Sequence, residues 1–231
     1  MKTCNLQGIG VLITRPRQQA LPLRDAIEHH GGHATLFPAL EIASTPETAA
    51  GKQPLKNAAD YDDLVFVSPN AVRFAMPELA VAQQRVFAIG SATASMLLQH
   101  GIRSHQPSAA KADSESLLES PLLADMQGRK VLIVRGDGGR PLLGDTLSKR
   151  GASVDYAEVY ERRCPDVDAV PLLKTWNARI DVVIATSNAI IDNLLRLCHN
   201  DPVVTATPLI VISQRMREHA LRTGFIRVDL A

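Results

Sequence analysis

Three short blocks of this sequence occur twice, in the same order and at nearly the same spacing. The run GVLITR, which ends at Arg15, returns as KVLIVR, which ends at Arg135. Each run is followed by a turn and an amphipathic stretch that ends at a glycine, Gly31 or Gly151, and both pairs lie 120 positions apart. A recurring spacing of this kind indicates an internal repeat. The chain is therefore predicted to contain two copies of one structural unit.

Two further blocks extend the duplication. DLVFVSPNA, which begins at Asp63, matches DVVIATSNA, which begins at Asp181, at an offset of 118 residues. VFAIG, which begins at Val86, matches LIVIS, which begins at Leu209, at an offset of 123 residues. The order of the three blocks is the same in both halves, so the repeat covers most of the chain.

Each block has a short, continuous apolar run followed by a polar turn and a segment of helical period. Apolar runs without alternation are typical of strands buried on both faces, as in parallel sheets, and strands that alternate with helices indicate an open α/β sheet. We expect the fold class to be α/β, with two parallel-sheet domains. Helix ends are marked by prolines in first turns and glycines after last turns: Pro22 and Pro141, and Gly31, Gly101, Gly151 and Gly224.

Two segments, FPALEIA at 37–43 and YAEVYERR at 156–163, interrupt this pattern. Both are predicted to be extended, and both adjoin a proline-containing stretch. Two equivalent extended crossings indicate two domains joined by paired strands. A tandem division near Met126 is the simpler alternative.

Composition excludes several classes of function. The 231 residues carry a net charge of +1 and only 4% aromatic residues, which argues against a nucleic-acid or membrane-surface partner. No apolar run approaches the ~18–20 residues of a membrane span, and the N-terminal run is too short for a signal peptide. Cys4, Cys164 and Cys198 lie far apart and match no disulfide framework or metal site. We expect a soluble, cytoplasmic protein.

Three closely spaced histidines are a weak indication of a metal site. His29, His30 and His33 are close in sequence, but Gly31 and Gly32 interrupt the helix that would place two of them on one face. We therefore expect a solvated helix end and no bound metal.

The residues after the apolar runs are the candidates for ligand binding, because ligands of open α/β sheets bind beyond the carboxyl ends of the strands. Helix N-termini favour anions, and arginine binds carboxylate or phosphate through two parallel hydrogen bonds. These turns predict a polyanionic ligand held by many modest contacts; the alternative is that each Ser, Thr or Asn only caps a helix. The candidates are Arg15, Ser68, Asn70, Gly90, Thr93, Arg135, Gly136, Gly138, Gly139, Arg140, Thr186, Ser187, Asn188 and Ser213.

Nucleotide motifs are incomplete. The turn Gly136-x-Gly138 would need glycine or alanine at the position of Pro141 to match the dinucleotide fingerprint, and the sequence has no Gly-Lys-Ser/Thr phosphate loop. A nucleotide cofactor is therefore disfavoured.

Two of the three tyrosines, Tyr156 and Tyr160, lie in the second crossing, where the first repeat has Leu36 and Leu40. Since an aliphatic residue is accepted at both places, packing does not require a phenol. For Tyr156 we favour a packing role. For Tyr160 two roles remain open. It could pack in the core, or it could donate a proton to a departing hydroxyl in the cleft.

Taken together, these segments resemble the uroporphyrinogen-III synthase family, and the order and spacing of the motifs carry the resemblance. They are VLITRP at 11–16, FP at 37–38, FVSPNAV at 66–72, AIGxxTA at 88–94, KVLIVRGxGGR at 130–140, GDTL at 144–147, VYxR at 159–162 and TS at 186–187. The resemblance implies two α/β domains joined by a two-stranded ladder, one domain being discontinuous. The expected ranges are 1–38 with 166–231 for the first domain, 46–157 for the second, and 39–45 with 158–165 for the ladder.

The resemblance also implies a reaction, the cofactor-free dehydration and cyclisation of hydroxymethylbilane to uroporphyrinogen III, with inversion of ring D. Every ring of that linear tetrapyrrole bears an acetate and a propionate, which agrees with the polyanion site. Tyr160 matches the family's tyrosine that is thought to help the terminal hydroxyl leave. We expect a monomer that hinges at the ladder. The alternatives are a bilobal cytoplasmic binding protein or sensor for a small polyanion, and a nucleotide-using transferase.

Overall fold

The computed structural model describes residues 5–46, 50–107 and 113–231. The chain divides into two compact units. The first ends at Ile42 and resumes with Arg163–Ala231, and the second is Ala43–Arg162. Met126 is buried in the core of the second unit, so the division is discontinuous rather than a tandem split at that residue.

Short strands alternate with helices in both units. The strands are β1 (Gly10–Ile13), β2 (His33–Leu36), β3 (Glu41–Ser44), β4 (Asp63–Phe66), β5 (Arg85–Ala88), β6 (Lys130–Gly136), β7 (Ser153–Arg163), β8 (Val182–Ile184), β9 (Leu209–Val211) and β10 (Val228–Leu230). The α-helices are α1 (Arg17–His29), α2 (Gln53–Lys56), α3 (Pro69–Ala75), α4 (Ser91–Gln99), α5 (Ser114–Leu118), α6 (Leu142–Lys149), α7 (Val170–Arg179), α8 (Asn188–Leu197), α9 (Pro202–Ala206) and α10 (Gln214–Arg222). Single turns of 3₁₀-helix lie at Ala50–Lys52, Ala58–Asp60 and Pro121–Leu123.

The first unit contains a parallel sheet with the strand order β10-β9-β8-β1-β2. Leu12 packs with Trp176 on one face of this sheet, while Val11 and Ile13 pack with Ile27 on the other. The central strand is thus buried on both faces, which explains why its sequence is continuously apolar. The α/β class predicted from the sequence is confirmed.

The second unit contains a sheet with the order β3-β7-β6-β4-β5, in which β7, β6, β4 and β5 are parallel. The two crossings predicted to be extended are neighbours at one edge of this sheet. Thr45 donates its N–H to the carbonyl oxygen of Val159 at 3.1 Å, and β7 continues without interruption to Arg163. The paired strands are therefore continuous with the sheet of the second unit.

The pairing of β1 with β2 in the first sheet matches the pairing of β6 with β7 in the second, at the predicted offset of 120 residues. Gly10 is opposite His33 in the first sheet, and Lys130 is opposite Ser153 in the second. Ile13 is likewise opposite Leu36, and Ile133 is opposite Tyr156. Tyr156 thus occupies in β7 the place that Leu36 occupies in β2, as the repeat predicted.

The offset of 118 residues for the second block is wrong by one position. Ser68 caps α3 by accepting the N–H of Ala71, and the residue that caps α8 in the same way, by accepting the N–H of Ile190, is Ser187 rather than Thr186. Both pairs are 119 apart. Two apolar runs of similar composition can slide by one position without an obvious mismatch in sequence, whereas the capping hydrogen bond fixes the register.

The glycines predicted to follow helices lie closer to their expected positions than the prolines predicted to lie in first turns. Gly31 and Gly151, with φ of +82° and +98°, directly follow the C-cap residues of α1 and α6 and adopt the left-handed conformation that glycine favours. Pro141 precedes α6 as its N-cap. Pro22 lies inside α1 rather than in its first turn, because the helix starts one residue after Pro16.

Candidate active site

Polar turns follow β4 and β6 in the second unit, at the point where the strand order changes direction. This is the position at which open α/β sheets bind ligands. A cleft of about 270 Å³ lies there. Its lining residues are Val67, Ile89, Asp113, Ser114, Ile133, Arg135, Gly136, Asp137, Gly139, Arg140, Leu143, Tyr156, Tyr160 and Arg162.

Tyr160 lies in the wall of this cleft with 2% of its surface exposed. Its ring stacks on Phe74 at a centroid distance of 5.9 Å. Its hydroxyl oxygen lies 3.1 Å from Ser68 Oγ and accepts a hydrogen bond from Arg162 Nη2 at 3.3 Å. The phenol is thus held by packing on its ring and by polar groups at its tip.

Gly136 is required by this arrangement. A Cβ atom at position 136 would lie 2.4 Å from Cε2 of Tyr160, far inside van der Waals contact. Because β7 shifts register against β6 at this point, Gly136 is opposite Tyr160. Gly136, which was predicted to bind substrate, therefore has a structural role, since it makes room for the tyrosine ring.

Arg162 is a residue of the cleft that was not among the predicted site residues. It follows Tyr160 by two positions on β7, and residues two apart on a strand project from the same face. That spacing, within the VYxR motif, is the signal that could have identified it. Among the residues that the structure describes, Arg162 forms no ion pair. Its exposed side chain donates a hydrogen bond to the Tyr160 hydroxyl, and its guanidinium lies 5.4 Å from the centre of the tyrosine ring.

Arg135 is held by the protein on several sides. Its guanidinium donates to Glu158 Oε1 at 2.8 and 3.2 Å and to the carbonyl oxygen of Gly139 at 3.2 Å. It also lies 4.0 Å from the centre of the Tyr156 ring, which supports the packing role favoured for Tyr156. Arg135 reaches the cleft, as predicted, but a substrate carboxylate would have to compete with Glu158.

Arg140 pairs with Glu115 at 2.9 Å in an exposed ion pair, with the two side chains 65% and 50% exposed. Such a surface pair is worth at most ~1 kcal/mol, so a ligand carboxylate could displace Glu115. The turn before Arg140 has Gly138 in the left-handed region, with φ of +65°. Gly136, Gly139 and Arg140 of this turn line the cleft.

Other predicted residues of the second unit lie outside this cleft. Ser68 contacts Tyr160 from the N-terminus of α3 but is not among the residues that line the cleft, and neither are Asn70, Gly90, Thr93 and Gly138. Gly90 is the N-cap of α4, and Thr93 is buried in the same helix with 3% of its surface exposed. The side chain of Thr93 is therefore largely buried within the second unit.

The first unit contains an equivalent edge at the ends of β1 and β8. Thr14 donates its hydroxyl to the carbonyl oxygen of Ile184 at 2.6 Å and ties the two strands together. Directly beyond it, Nε of Arg15 and Oδ1 of Asn188 are buried and have no hydrogen-bond partner among the residues that the structure describes. A buried polar atom without a partner is costly, so these atoms mark a place for a ligand or water.

The remaining predicted residues of the first unit have ordinary structural partners. Ser187 and Ser213 cap α8 and α10 by accepting the N–H groups of Ile190 and Met216. Thr186 is half-buried at the end of the strand region. For the two serines, the helix-cap interpretation left open by the sequence describes their contacts.

Metal and thiol chemistry find no support in the described residues. In the ranges 5–46, 50–107 and 113–231 no three His, Cys, Asp or Glu side chains are placed to share a metal ion, and His29 packs edge-on against His30. Burial raises the pKa of the Cys198 thiol to about 11, so it is not a ready nucleophile. Cys4 lies outside the described residues. The helices that the structure describes include none long and apolar enough to cross a membrane.

Comparison with known proteins identifies the same family throughout. The family model described as "Uroporphyrinogen-III synthase HemD" matches residues 22–229. Uroporphyrinogen-III synthase of Salmonella typhimurium is 30% identical over 234 residues, covering 96% of this chain and 95% of that protein. The Escherichia coli enzyme of the same name is 29% identical over 233 residues, with coverage of 96% and 95%.

Solved structures agree on the fold. Uroporphyrinogen-III synthetase of Helicobacter pylori superposes with a TM-score of 0.59 at 17% identity, covering 96% of this chain and 92% of that one. A mutant uroporphyrinogen III synthase of Thermus thermophilus superposes with a TM-score of 0.56 at 19% identity and the same coverage. At these identities the likeness concerns the two-unit α/β fold.

Proposed function

The chain belongs to the uroporphyrinogen-III synthase family, and from this premise we propose that it dehydrates and cyclises hydroxymethylbilane to uroporphyrinogen III. The observation that carries the proposal is the Tyr160 hydroxyl, buried in a polar cleft between Ser68 and Arg162. Among the described residues, this phenol is the proton donor best placed for a departing hydroxyl.

The reaction begins when Tyr160 donates its proton to the terminal hydroxyl of the substrate. The carbon–oxygen bond breaks, water leaves, and the lone pair of the pyrrole nitrogen stabilises the cation that remains. Ring D then attacks through its substituted carbon to give the spiro intermediate, which reopens and closes with ring D inverted. The proton released on re-aromatisation restores the phenol, so the net change is the loss of one water.

Choosing the carbon that attacks is a problem of positioning, because a flexible chain must be held in one bent conformer. The cleft volume of about 270 Å³ lies just below the ~300–1,000 Å³ typical of small-molecule sites. It would hold one end of the tetrapyrrole rather than the whole.

We assign the substrate carboxylates and pyrrole N–H groups to the turn residues. Arg135, Arg140 and the backbone of the glycine turn would bind carboxylates in the second unit. In the first unit, Nε of Arg15 suits a carboxylate and Oδ1 of Asn188 suits a pyrrole N–H, because neither atom has a hydrogen-bond partner in the ranges 5–46, 50–107 and 113–231. The proposed binding set remains Arg15, Ser68, Asn70, Gly90, Thr93, Arg135, Gly136, Gly138, Gly139, Arg140, Thr186, Ser187, Asn188 and Ser213.

The proposal includes a cytoplasmic monomer that needs no cofactor, because the pyrrole itself supplies the electrons that expel water. It also includes a hinge at residues 39–45 and 158–165. A net charge of +1 supports the absence of a nucleic-acid partner. The family assignment favours the synthase over a polyanion sensor or a nucleotide-using transferase.

Incubation of the purified protein with hydroxymethylbilane tests the proposal directly. Hydroxymethylbilane alone closes to the type I isomer, so the isomer ratio after oxidation to porphyrin, measured by chromatography, reports enzyme action. We expect the type III isomer to dominate. Type I product alone, at any enzyme concentration, would reject the proposed function.

A further inference from the structure

We infer that Arg162 is a positioning residue that holds the Tyr160 hydroxyl in the orientation of a hydrogen-bond donor; this rests on the proposed function of Tyr160. Nη2 of Arg162 lies 3.3 Å from the phenolic oxygen, and Cζ of the guanidinium lies 5.4 Å from the centre of the ring. Both contacts involve the same tyrosine.

The chemistry of guanidinium sets the direction of the hydrogen bond. An arginine has five N–H donors and no acceptor, so the phenolic oxygen must accept from Arg162. The proton of Tyr160 is then available for Ser68 Oγ, 3.1 Å away, or for a substrate hydroxyl that takes its place. Without Arg162, the phenolic oxygen could instead accept from the substrate, an orientation that cannot assist departure.

Among the described residues, Arg162 differs from the other arginines of the cleft in having no carboxylate partner. Arg135 is engaged by Glu158 and Arg140 by Glu115. Its charge is therefore not neutralised by an adjacent side chain. It can stabilise the negative charge that develops on the phenolic oxygen as the proton moves to the substrate.

The backbone holds this pair in place. The N–H of Asp137 donates to the carbonyl oxygen of Tyr160 at 2.9 Å, and Oδ1 of Asp137 accepts the N–H of Arg162 at 3.3 Å. The glycine turn after β6 thus clamps the end of β7 on both sides of residue 161. Arg162 is thereby placed to act through Tyr160.

The test compares Arg162→Gln and Arg162→Lys with Arg163→Gln as the matched control. Arg163 is the adjacent arginine, and it pairs with the exposed Glu41 at 3.0 Å. We expect Arg162→Gln to lower kcat about 10-fold, as for loss of a hydrogen bond to a charged group, with KM changed less than about 2-fold. Arg162→Lys, which keeps a charged donor, should recover part of kcat, and Arg163→Gln should match wild type.

A double variant separates positioning from general structural damage. In a Tyr160→Phe background, Arg162→Gln should lower kcat no further, because the group through which it acts is gone. An additive loss would overturn the inference, and so would a raised KM with normal kcat, which would make Arg162 a carboxylate-binding residue. If Arg162→Gln does not fold, Arg162→Lys provides the same comparison.

A spectroscopic measurement keeps the inference separate from the proposed function. In protein labelled with 3-fluorotyrosine, the ¹⁹F resonance of residue 160 is identified by its loss in Tyr160→Phe. We expect it to shift in Arg162→Gln and to stay in place in Arg163→Gln. A shift in a protein that makes no type III product would reject the function but keep the contact; an unmoved resonance in an active enzyme would reject the inference alone.

Discussion

Gly136 and Tyr160 face each other so closely that a Cβ on residue 136 would lie 2.5 Å from Cζ of the tyrosine ring. The two residues therefore form a matched pair. At the equivalent positions of the first repeat, 120 residues earlier, the chain has Pro16 and Leu40. The second repeat thus carries both the phenol and the residue that makes room for it, which fits its proposed catalytic role.

Substitution of Gly136 by alanine tests this pairing. The added methyl group must displace the Tyr160 ring, so we expect a loss of about 1–3 kcal/mol in the free energy of unfolding. We also expect kcat to fall, because the hydroxyl moves with the ring. Chemical denaturation and the rate of type III product formation measure the two effects.

A second substitution checks the cause. Gly136→Ala combined with Tyr160→Leu replaces the ring by the residue of the first repeat, so stability should be partly recovered while kcat stays low. A Gly136→Ala protein with wild-type stability and rate would contradict the close contact.

Tyr160→Phe keeps the ring and its stacking on Phe74, so the free energy of unfolding should change by less than ~1 kcal/mol. The lost hydroxyl removes the proton donor, while positioning and the electron push of the pyrrole remain. General acids contribute about 10²–10⁴-fold, and this easily ionised substrate should lie at or below the bottom of that range. We therefore expect a fall in kcat of up to about 100-fold, with residual type III product.

The control is Tyr61→Phe, which removes an exposed hydroxyl that donates to Asp155 at 2.9 Å. Its kcat should match wild type. An unchanged kcat in Tyr160→Phe would show instead that Tyr160 only packs, as Leu40 does in the first repeat.

Much of the fold could be predicted because both repeats use the same strand pairing and the same serine caps on their helices. Continuous apolar runs identified the buried strands, and the 120-residue spacing predicted the register that places Tyr156 where the first repeat has Leu36. The 118-residue spacing failed, because apolar residues are interchangeable in a buried strand and only the caps at Ser68 and Ser187 fix the alignment.

The candidate site was predicted less completely than the fold. The sequence motif identified Tyr160 and the glycine turn, but residue type alone cannot show which arginines are already neutralised. Arg135 is paired with Glu158, which is 23 positions away in sequence, whereas Arg162 has no such partner among the described residues. Thr93 was selected as a hydroxyl that follows a strand, and residue type alone could not show that its side chain is 3% exposed in α4.

Asp63 gives a prediction about acid stability. Its side chain is fully buried at the start of β4, where it accepts two hydrogen bonds each from Arg85 and Arg129 at 2.6–3.0 Å. Burial alone would raise the pKa of Asp63, but the hydrogen bonds and charges of the two arginines outweigh it and lower the pKa below its usual value.

Because the folded pKa is lowered, the stabilisation is fully present above the pKa of the unfolded chain, ~3.9, and is lost as pH falls through the folded pKa. We expect Asp63→Asn to lose about 3 kcal/mol at pH 7, as for a broken buried ion pair, and the difference from wild type to shrink below about pH 4. Urea denaturation from pH 3 to 8 measures this. Asp229→Asn, which removes an exposed ion pair with Arg227, is the control and should cost less than ~1 kcal/mol.

Arg15 provides the last prediction, on substrate binding by the first unit. Its Nε is buried just after β1 and has no hydrogen-bond partner within the described part of the chain. A substrate carboxylate would therefore gain a charge-assisted hydrogen bond there without displacing any of the described groups. Loss of such a contact costs about 1.5–3 kcal/mol, so Arg15→Gln should raise KM at least about 10-fold while kcat changes little. Arg24→Gln is the control, because Arg24 is bonded to Asp25 on the exposed face of α1. Steady-state rates at low and high salt measure the effect, and a wild-type KM for Arg15→Gln under both conditions would show that Arg15 faces away from the substrate.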